Sequence, residues 1–205
     1  MSKSYYHYPV WVRLWHLLNA LLCLLLIITG CIMLFSGTDT SAVSEASGTV
    51  RFHNVCGVIL TASYLIFFLG NIFTPNGKHY MASLKGKWKN IRMQASYYRS
   101  GYSKGEPSPF IVDGEHKFNP LQQLTYFIIM YVVVPLIFLT GWALMFPEFI
   151  LKKILGFKEV FFASHFHVLM GILVVIFLFI HIYISTFGKT RTSNFRSIIS
   201  GWQEV

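Results

Sequence analysis

Four long apolar stretches, separated by polar segments, form the main hydrophobic pattern of the chain. A helix needs roughly 20 predominantly apolar residues to cross the hydrocarbon core of a bilayer. The pattern therefore predicts membrane spans at about residues 10–35, 51–73, 121–146 and 161–187. Pro135 falls inside the third span and is expected to kink it. The predicted fold is all-α, a four-helix integral membrane bundle that forms a single domain over residues 1–205.

The composition favours lipid as the main solvent. Hydrophobic residues make up 54% of the 205 residues and charged residues only 12%, whereas soluble domains carry about 25% charged residues. The net charge is +9, but the basic residues lie between the apolar stretches, so nucleic acid is not expected as a partner. Cys23, Cys31 and Cys56 are interpreted as small buried packing residues, and the chain has no C-x-x-C-H motif for a covalently attached haem.

Basic residues flank the predicted spans unevenly. Thirteen of the 17 lysine and arginine residues lie in the N-terminal segment, the loop between the second and third spans, or the C-terminal tail. The positive-inside rule then predicts that both termini and this basic loop face the cytoplasm. Two interpretations of residues 84–98 stay open: a basic amphipathic helix on the membrane surface, or a solvated basic loop.

Histidine inside a membrane is costly and marks a candidate functional residue. His16 and His181 lie near the predicted cytoplasmic side, whereas His53 and His167 open the second and fourth spans on the outer side. Depth therefore sorts these four histidines into an inner pair and an outer pair. The histidines outside the spans are expected at the surface: His7, His79 and His116.

Helical phase supports this selection. His167 and His181 are 14 residues apart, about 40° short of four full turns, so both project from one helix face about 21 Å apart. Two haems stacked in a hydrocarbon core of ~30 Å would need a similar spacing. His165 lies roughly 160° around the helix from His181 and is expected to be a supporting or surface residue.

Neutral imidazole is a good axial ligand for haem iron, and two of them leave no open position for substrate. The four histidines thus predict two haems b that carry electrons without bond chemistry. Two alternatives stay open: a pathway for protons or metal ions, and isolated hydrogen-bonded core histidines. A transport pathway would normally include intramembrane Asp or Glu, and every acidic residue here is predicted to lie in a loop or terminus.

Arginines and glycines near the histidines add candidate contacts to the haems. Arg13 and Arg51 precede proposed ligands and would serve haem propionates, or would simply extend to the membrane surface. Gly57 and Gly171 each follow a histidine by four residues, on the same helix face. They would let a flat macrocycle lie against the backbone, or would serve ordinary helix packing.

A weak internal repeat accompanies these motifs. The second and fourth spans share the pattern F-H-x-x-x-G, and the first and third spans share a Thr-Gly pair near their ends, at residues 29–30 and 140–141. Duplication of a helical hairpin would explain both, and chance similarity between apolar helices is the alternative.

Several motifs together resemble the bacterial di-haem cytochrome b group, which includes the gamma subunit of formate dehydrogenase, the b-type subunit of nickel-iron hydrogenase and thiosulfate reductase cytochrome b subunits. They are Arg13-Leu14-Trp15-His16, Phe52-His53, Asn119-Pro120, and His167 with His181. The resemblance implies that His16 and His181 bind the inner haem and that His53 and His167 bind the outer haem. It also implies a quinone site beside the inner haem, with Asn119 and Gln122 as candidate residues. Leu121 stands where the family has glycine, and Asn119 also fits a helix N-cap.

The predicted function is that of the membrane electron-transfer subunit of a respiratory oxidoreductase. Electrons would pass between an outer partner, either an iron-sulfur or a multihaem cytochrome c subunit, and menaquinone or ubiquinone. A catalytic subunit would lie beyond that partner, because no nucleophile, molybdenum or nickel site is recognisable here. The alternatives are a histidine-dependent transporter or metal-handling protein, and a haem-carrying anchor without its own quinone site.

Overall fold

The structure is a computed structural model that describes residues 4–35, 40–80, 88–110, 113, 117–149 and 160–204, with residues 40–47 described by their backbone alone. In chain order its helices are α1 (Val10–Phe35), α2 (Thr40–Phe73), α3 (Trp88–Ser96), α4 (Pro120–Ile128), α5 (Val134–Met145), α6 (Phe161–Ser185) and α7 (Ser193–Ser200). Two short strands, β1 (Ser4–Tyr6) and β2 (Trp202–Glu204), lie near the ends of the chain. Single turns of 3₁₀-helix cover Pro75–His79 and Tyr102–Lys104, and π-helical turns cover Tyr97–Gly101 and Ile129–Val133.

Four segments are long and apolar enough to cross a membrane: Val10–Phe35, Gly48–Phe73, Pro120–Met145 and Phe161–Ser185. The predicted all-α membrane fold is confirmed, with span ends within three residues of those expected from the sequence. Helix α2 itself begins at Thr40, well before its apolar part. Large apolar side chains on these helices are widely exposed, as at Phe73 and Phe179. Such a surface would be unfavourable in water and suits contact with lipid.

The third span is interrupted where Pro135 was expected to disturb it. Helix α4 ends at Ile128, a π-helical turn covers Ile129–Val133, and α5 carries Pro135 in its first turn. Proline lacks a backbone N–H, and its ring clashes with the carbonyl group four residues earlier. A π-helical turn just before the proline widens the helix there, so the disturbance falls one turn ahead of Pro135.

The chain divides into two compact units. The first unit comprises Met1–Arg13, Leu69–Val132 and Phe177–Val205, and the second comprises Leu14–Phe68 and Val133–Ile176. The second unit has a small apolar core around Leu22, Cys56 and Leu60, which Cys23 and Phe138 join. The packing role expected for Cys23 and Cys56 is confirmed, but Cys31 is exposed, so the same expectation was wrong there.

In the first unit the two ends of the chain are tied together. Strand β1 pairs antiparallel with β2, in the register Ser4 to Glu204 through Tyr6 to Trp202. Gly201 ends α7 with φ +91° and accepts hydrogen bonds from the backbone N–H groups of His7 and Tyr8. A Cβ at Gly201 would approach Tyr6 Cε2 to 2.6 Å, so this turn requires glycine.

The basic loop contains α3, which agrees with one of the two interpretations of residues 84–98. Ile91 and Gln94 are buried, whereas Trp88, Arg92 and Met93 are exposed, so this short helix has distinct faces. Residues 84–87 lie outside the described residues, and the last two residues of the predicted helix belong to the π-helical turn.

Candidate functional site

The structure brings His53 and His167 together in the second unit. His53 lies on α2 and His167 on α6, both half-buried, with ring centroids 6.3 Å apart and ring planes at 72° to each other. These two residues were selected from the sequence by depth and helical phase. The predicted outer pair is therefore a real juxtaposition of two imidazoles within the apolar spans.

A threonine contacts each of these imidazoles at its Nδ1 atom. Thr29 Oγ1 lies 2.8 Å from His53 Nδ1, and Thr140 Oγ1 lies 2.9 Å from His167 Nδ1. Each threonine hydroxyl donates its own proton to the carbonyl oxygen four residues earlier in its helix. With the hydroxyl proton donated to that carbonyl, the threonine oxygen can accept from an Nδ1–H group, and this tautomer would leave the Nε2 lone pair of each histidine available for a metal.

The glycine that follows each threonine leaves room for the edge of the same imidazole ring. A Cβ at Gly30 would lie 3.7 Å from His53 Cε1, and a Cβ at Gly141 would lie 3.3 Å from His167 Cε1. The Thr-Gly pair of one helix thus contacts the histidine of the next helix in the same way twice. Both Thr-Gly pairs belong to the weak sequence repeat, but nothing in the sequence indicated that they contact the histidines.

The geometry of the pair fits a metal that both imidazoles ligate. Two such rings, with metal–nitrogen bonds of about 2 Å and about 1 Å from each nitrogen to its ring centre, would have centroids about 6 Å apart. Within the described residues no third His, Cys, Asp or Glu completes a metal site. A zinc ion usually takes three or four protein ligands, so two histidines suit an iron already held in a haem.

Space beside the pair also fits a flat cofactor. A Cβ at Gly57, or at Gly171, would meet no atom of the described residues within 4 Å, although both glycines are half-buried. Each lies one helical turn from its histidine, on the same face. Open space at both positions supports the haem interpretation over simple helix packing.

The inner candidates lie in different units, His16 in the second and His181 in the first. Both are half-buried. The His181 ring stacks on Phe177 at 5.4 Å between centroids and meets the edge of Tyr126 at 6.0 Å. Their pairing on one haem stays a prediction.

An apolar cavity of about 260 Å³ borders His181. Its lining residues are Leu121, Gln122, Thr125, Tyr126, Phe177, Ile180, His181 and Ile184. Asn119 is not among them. Its Oδ1 accepts from the Gln122 backbone N–H, the Gln122 side chain accepts from the Asn119 N–H, and Asn119 Nδ2 donates to the Tyr98 hydroxyl. The expected N-cap of α4 is thus present as a full capping box.

The remaining candidates have different surroundings. Arg13 donates from Nη1 to the Ile199 carbonyl oxygen, and its Nε atom is buried without a hydrogen-bond partner among the described residues. Arg51 is exposed. His165 is also exposed, and its Nδ1 contacts the Phe161 carbonyl oxygen of its own helix, in agreement with its exclusion as a ligand.

A buried polar cluster in the first unit escaped the sequence analysis. Lys117 is 2% exposed, and its Nζ donates to Asn76 Oδ1 and lies 4.4 Å from the ring centroid of Tyr8. Burial lowers the pKa of Lys117 to about 8. His7 is buried, which corrects its expected surface position, and burial followed by the Lys117 charge lowers its pKa. His79 is half-buried, and His116 lies outside the described residues.

Comparison with known proteins points in one direction. The family model described as prokaryotic cytochrome b561 matches residues 7–201. The cytochrome YdhU of Escherichia coli (strain K12) is 36% identical over 98% of this chain and 75% of its own length. A protein of Rhodobacter capsulatus named as a Ni/Fe-hydrogenase B-type cytochrome subunit is 28% identical over 69% of this chain and 55% of its own length. No solved structure gives a significant match.

Proposed function

The chain belongs to the prokaryotic cytochrome b561 family, and from that premise we propose that it carries two haems b through which electrons pass between an outer partner and the quinone pool. Family membership and the four apolar helices make it a b-type cytochrome, a multi-pass bacterial membrane protein that serves electron transfer. The proposal includes the number of haems, their ligands, the quinone, the partner and the orientation.

The outer haem site rests on the observation that carries the proposal, the crossed pair of His53 and His167. Both imidazoles would hold the iron of a haem b, which would supply one-electron transfer at this site. Held by two histidines, the iron would be closed to oxygen and to substrate. Gly57 and Gly171 would leave the macrocycle room beside the two helices.

The inner haem is assigned to His16 and His181. His181 follows His167 by 14 residues in the uninterrupted helix α6, which projects both side chains from one face about 21 Å apart. Arg13 precedes His16 by three residues, and its buried Nε atom suits a propionate as an acceptor. Arg51 would serve a propionate of the outer haem from the exposed start of the second span.

The cavity beside His181 is the proposed quinone site. Its walls are mainly aliphatic and aromatic, with Gln122 and Thr125 as the polar residues beside the histidine. An apolar cleft with a few polar groups suits a quinone ring and its isoprenoid tail. Asn119 would act indirectly, because its capping box fixes the Gln122 side chain at the cavity. Oxidation of a quinol there would release two electrons to the haems and two protons to the solvent.

The proposed orientation follows the distribution of basic residues, with both termini and the loop containing α3 in the cytoplasm of an inner-membrane protein. The cavity side would then be cytoplasmic and the His53–His167 pair would lie near the outer face. The relative named as a hydrogenase subunit supports the existence of a partner subunit. We place that partner on the outer face, as either an iron-sulfur or a multihaem cytochrome c subunit. A catalytic subunit would lie beyond the partner.

Quinol-driven reduction of the purified protein in lipid vesicles tests this function. We expect a menaquinol or ubiquinol analogue to reduce both haems, with b-type optical spectra. Gln122→Leu should slow this reduction at least tenfold, whereas reduction by dithionite should be unchanged. Haem that dithionite reduces but no quinol reduces would indicate an anchor without a quinone site. Protein that binds metal ions and no haem would indicate a metal-handling protein instead.

A further inference from the structure

We propose that Thr29 and Thr140 are positioning residues that hold the imidazole planes of His53 and His167 crossed on the outer haem, and so set the electronic structure of its iron. The inference rests on the proposed function, because it needs the outer haem to be present. It gives a role to Thr29 and Thr140, which contact neither the iron nor the macrocycle in the proposed function.

The two contacts are nearly identical although they come from different helices. Thr29 of α1 meets His53 of α2 at 2.8 Å, and Thr140 of α5 meets His167 of α6 at 2.9 Å. In both cases the contact is to Nδ1, the ring nitrogen that does not ligate in this arrangement. A hydrogen bond at that atom fixes the tautomer and the orientation of the ring about the metal–nitrogen bond.

Each threonine is itself held in place. Thr29 is buried, and its hydroxyl donates to the carbonyl oxygen of Leu25, while that of Thr140 donates to the carbonyl oxygen of Leu136. Threonine is branched at Cβ and has few χ1 choices in a helix. The adjacent glycines allow the ring edges to approach closely, to 3.7 Å and 3.3 Å from a built Cβ. Neither imidazole can rotate without losing its hydrogen bond.

The fixed rings stand at 72° to each other. Each axial imidazole interacts with the iron d orbital perpendicular to its own plane. Crossed planes affect two d orbitals almost equally and keep them close in energy, whereas parallel planes separate them. An oxidised low-spin haem with crossed ligands therefore gives a highly anisotropic electron paramagnetic resonance signal dominated by one low-field line. Parallel ligands give a rhombic signal with three resolved lines.

The hydrogen bonds also affect the reduction potential. An Nδ1–H group that donates to an oxygen makes the imidazole a stronger electron donor, which favours the ferric state. Replacement of either threonine by valine removes the acceptor but keeps the branched shape. The outer haem should then become easier to reduce, while the potential of the other haem stays the same.

Low-temperature electron paramagnetic resonance of the oxidised, purified protein tests the inference, with a redox titration of the same samples. We expect a highly anisotropic signal in the wild type that Thr29→Val and Thr140→Val each change, with one midpoint potential shifted to more positive values. Thr29→Ser and Thr140→Ser should keep the wild-type signal and potential, because serine retains the hydroxyl oxygen.

The matched control is Thr61→Val. Thr61 is also a span threonine whose hydroxyl donates to the carbonyl four residues earlier, but it meets Trp142 rather than a histidine. This variant should leave both signals and both potentials unchanged. Bound haem with only rhombic signals in the wild type would overturn the inference and leave the proposed function intact, as would valine variants identical to wild type. Protein without a b-type spectrum would overturn the proposed function itself.

Discussion

His167 and His181 lie on the same helix, yet their surroundings differ in kind. His167 is hydrogen-bonded through Nδ1 to Thr140, contacts Gly141, and faces His53 among regular helices. His181 lies between Phe177 and Tyr126 and borders an apolar cavity. The first histidine is fixed by polar contacts, and the second has apolar space beside it. If the proposed function holds, one helix provides a rigid electron carrier near one end and an exchange site for quinone near the other.

Loss of either histidine should have the largest effect and should separate the two sites. We expect His167→Ala to remove the outer haem and His181→Ala to remove the inner one, each lowering the haem content from two to one per chain. The physical reason is that a b-type haem with one remaining axial ligand is held only by apolar contacts. Pyridine haemochrome assays against protein concentration measure the content. His165→Ala, two residues from His167 and exposed, should retain both haems.

A bulky side chain in place of Gly171 should reduce haem binding at the outer site alone. Within the part of the chain that the structure describes, a Cβ there meets no atom within 4 Å, so Gly171→Leu should fold and still lower the outer haem content by half or more. Gly48→Leu is the matched control, since Gly48 also has open space and lies in the same α2 as His53. Both substitutions should stabilise their helices by about 1 kcal/mol through helix propensity, so they differ only in their position relative to the haem. Equal haem loss in the two variants would contradict the proposed position of the macrocycle.

The stability of the protein against unfolding should depend on pH through Lys117, which is buried in the first unit. Burial lowers its pKa to about 8, against an ordinary value of 10.5, so the unfolded chain binds the proton more tightly. Stability should therefore rise between pH 8 and 10.5, by roughly 3 kcal/mol. Thermal unfolding across this range measures the rise, which Lys117→Met should lack.

Neighbouring groups affect that test only at its upper end. The pKa of His7 is lowered below 6.5, outside the window. Burial raises the pKa of Tyr8 from 10.0 to about 12, so Tyr8 should lower the stability of wild type and Lys117→Met alike above about pH 10, and the difference between the two proteins isolates Lys117. The exposed Lys89 offers the matched variant, and Lys89→Met should keep the wild-type pH profile. A profile equally flat in wild type and Lys117→Met would show that Lys117 is not buried as a cation.

The smallest expected effect concerns the N-cap of α4. Asn119→Ala removes the acceptor for the Gln122 backbone N–H and should destabilise the protein by about 1 kcal/mol. Asn119→Asp keeps that acceptor and should be close to wild type in thermal stability. If the aspartate variant instead loses quinol reduction completely while remaining stable, Asn119 contacts the quinone directly and the indirect role is wrong.

The sequence predicted those parts of the molecule that depend on local pattern. Span length and helical period are properties of consecutive residues, so the four membrane helices and the juxtaposition of His53 and His167 followed from them. The N-cap at Asn119 is also local, because asparagine before proline favours that position.

The parts that the sequence did not predict depend on distant contacts. The role of Thr29 and Thr140 arises only when a neighbouring helix supplies a histidine. Lys117 and His7 look like loop residues by composition, yet both are buried in the first unit, where Asn76 and Tyr8 contact the lysine. Lysine is rarely buried without a carboxylate, so residue type alone argued against this location.

The haem content of the purified wild-type chain tests the central claim most directly. A pyridine haemochrome assay combined with amino-acid analysis should give two haems b per chain, because the proposal assigns two histidines to each of two haem irons. Quantitative metal analysis should find iron in the same amount. A chain that binds no haem, or that holds another metal at His53 and His167, would contradict the account.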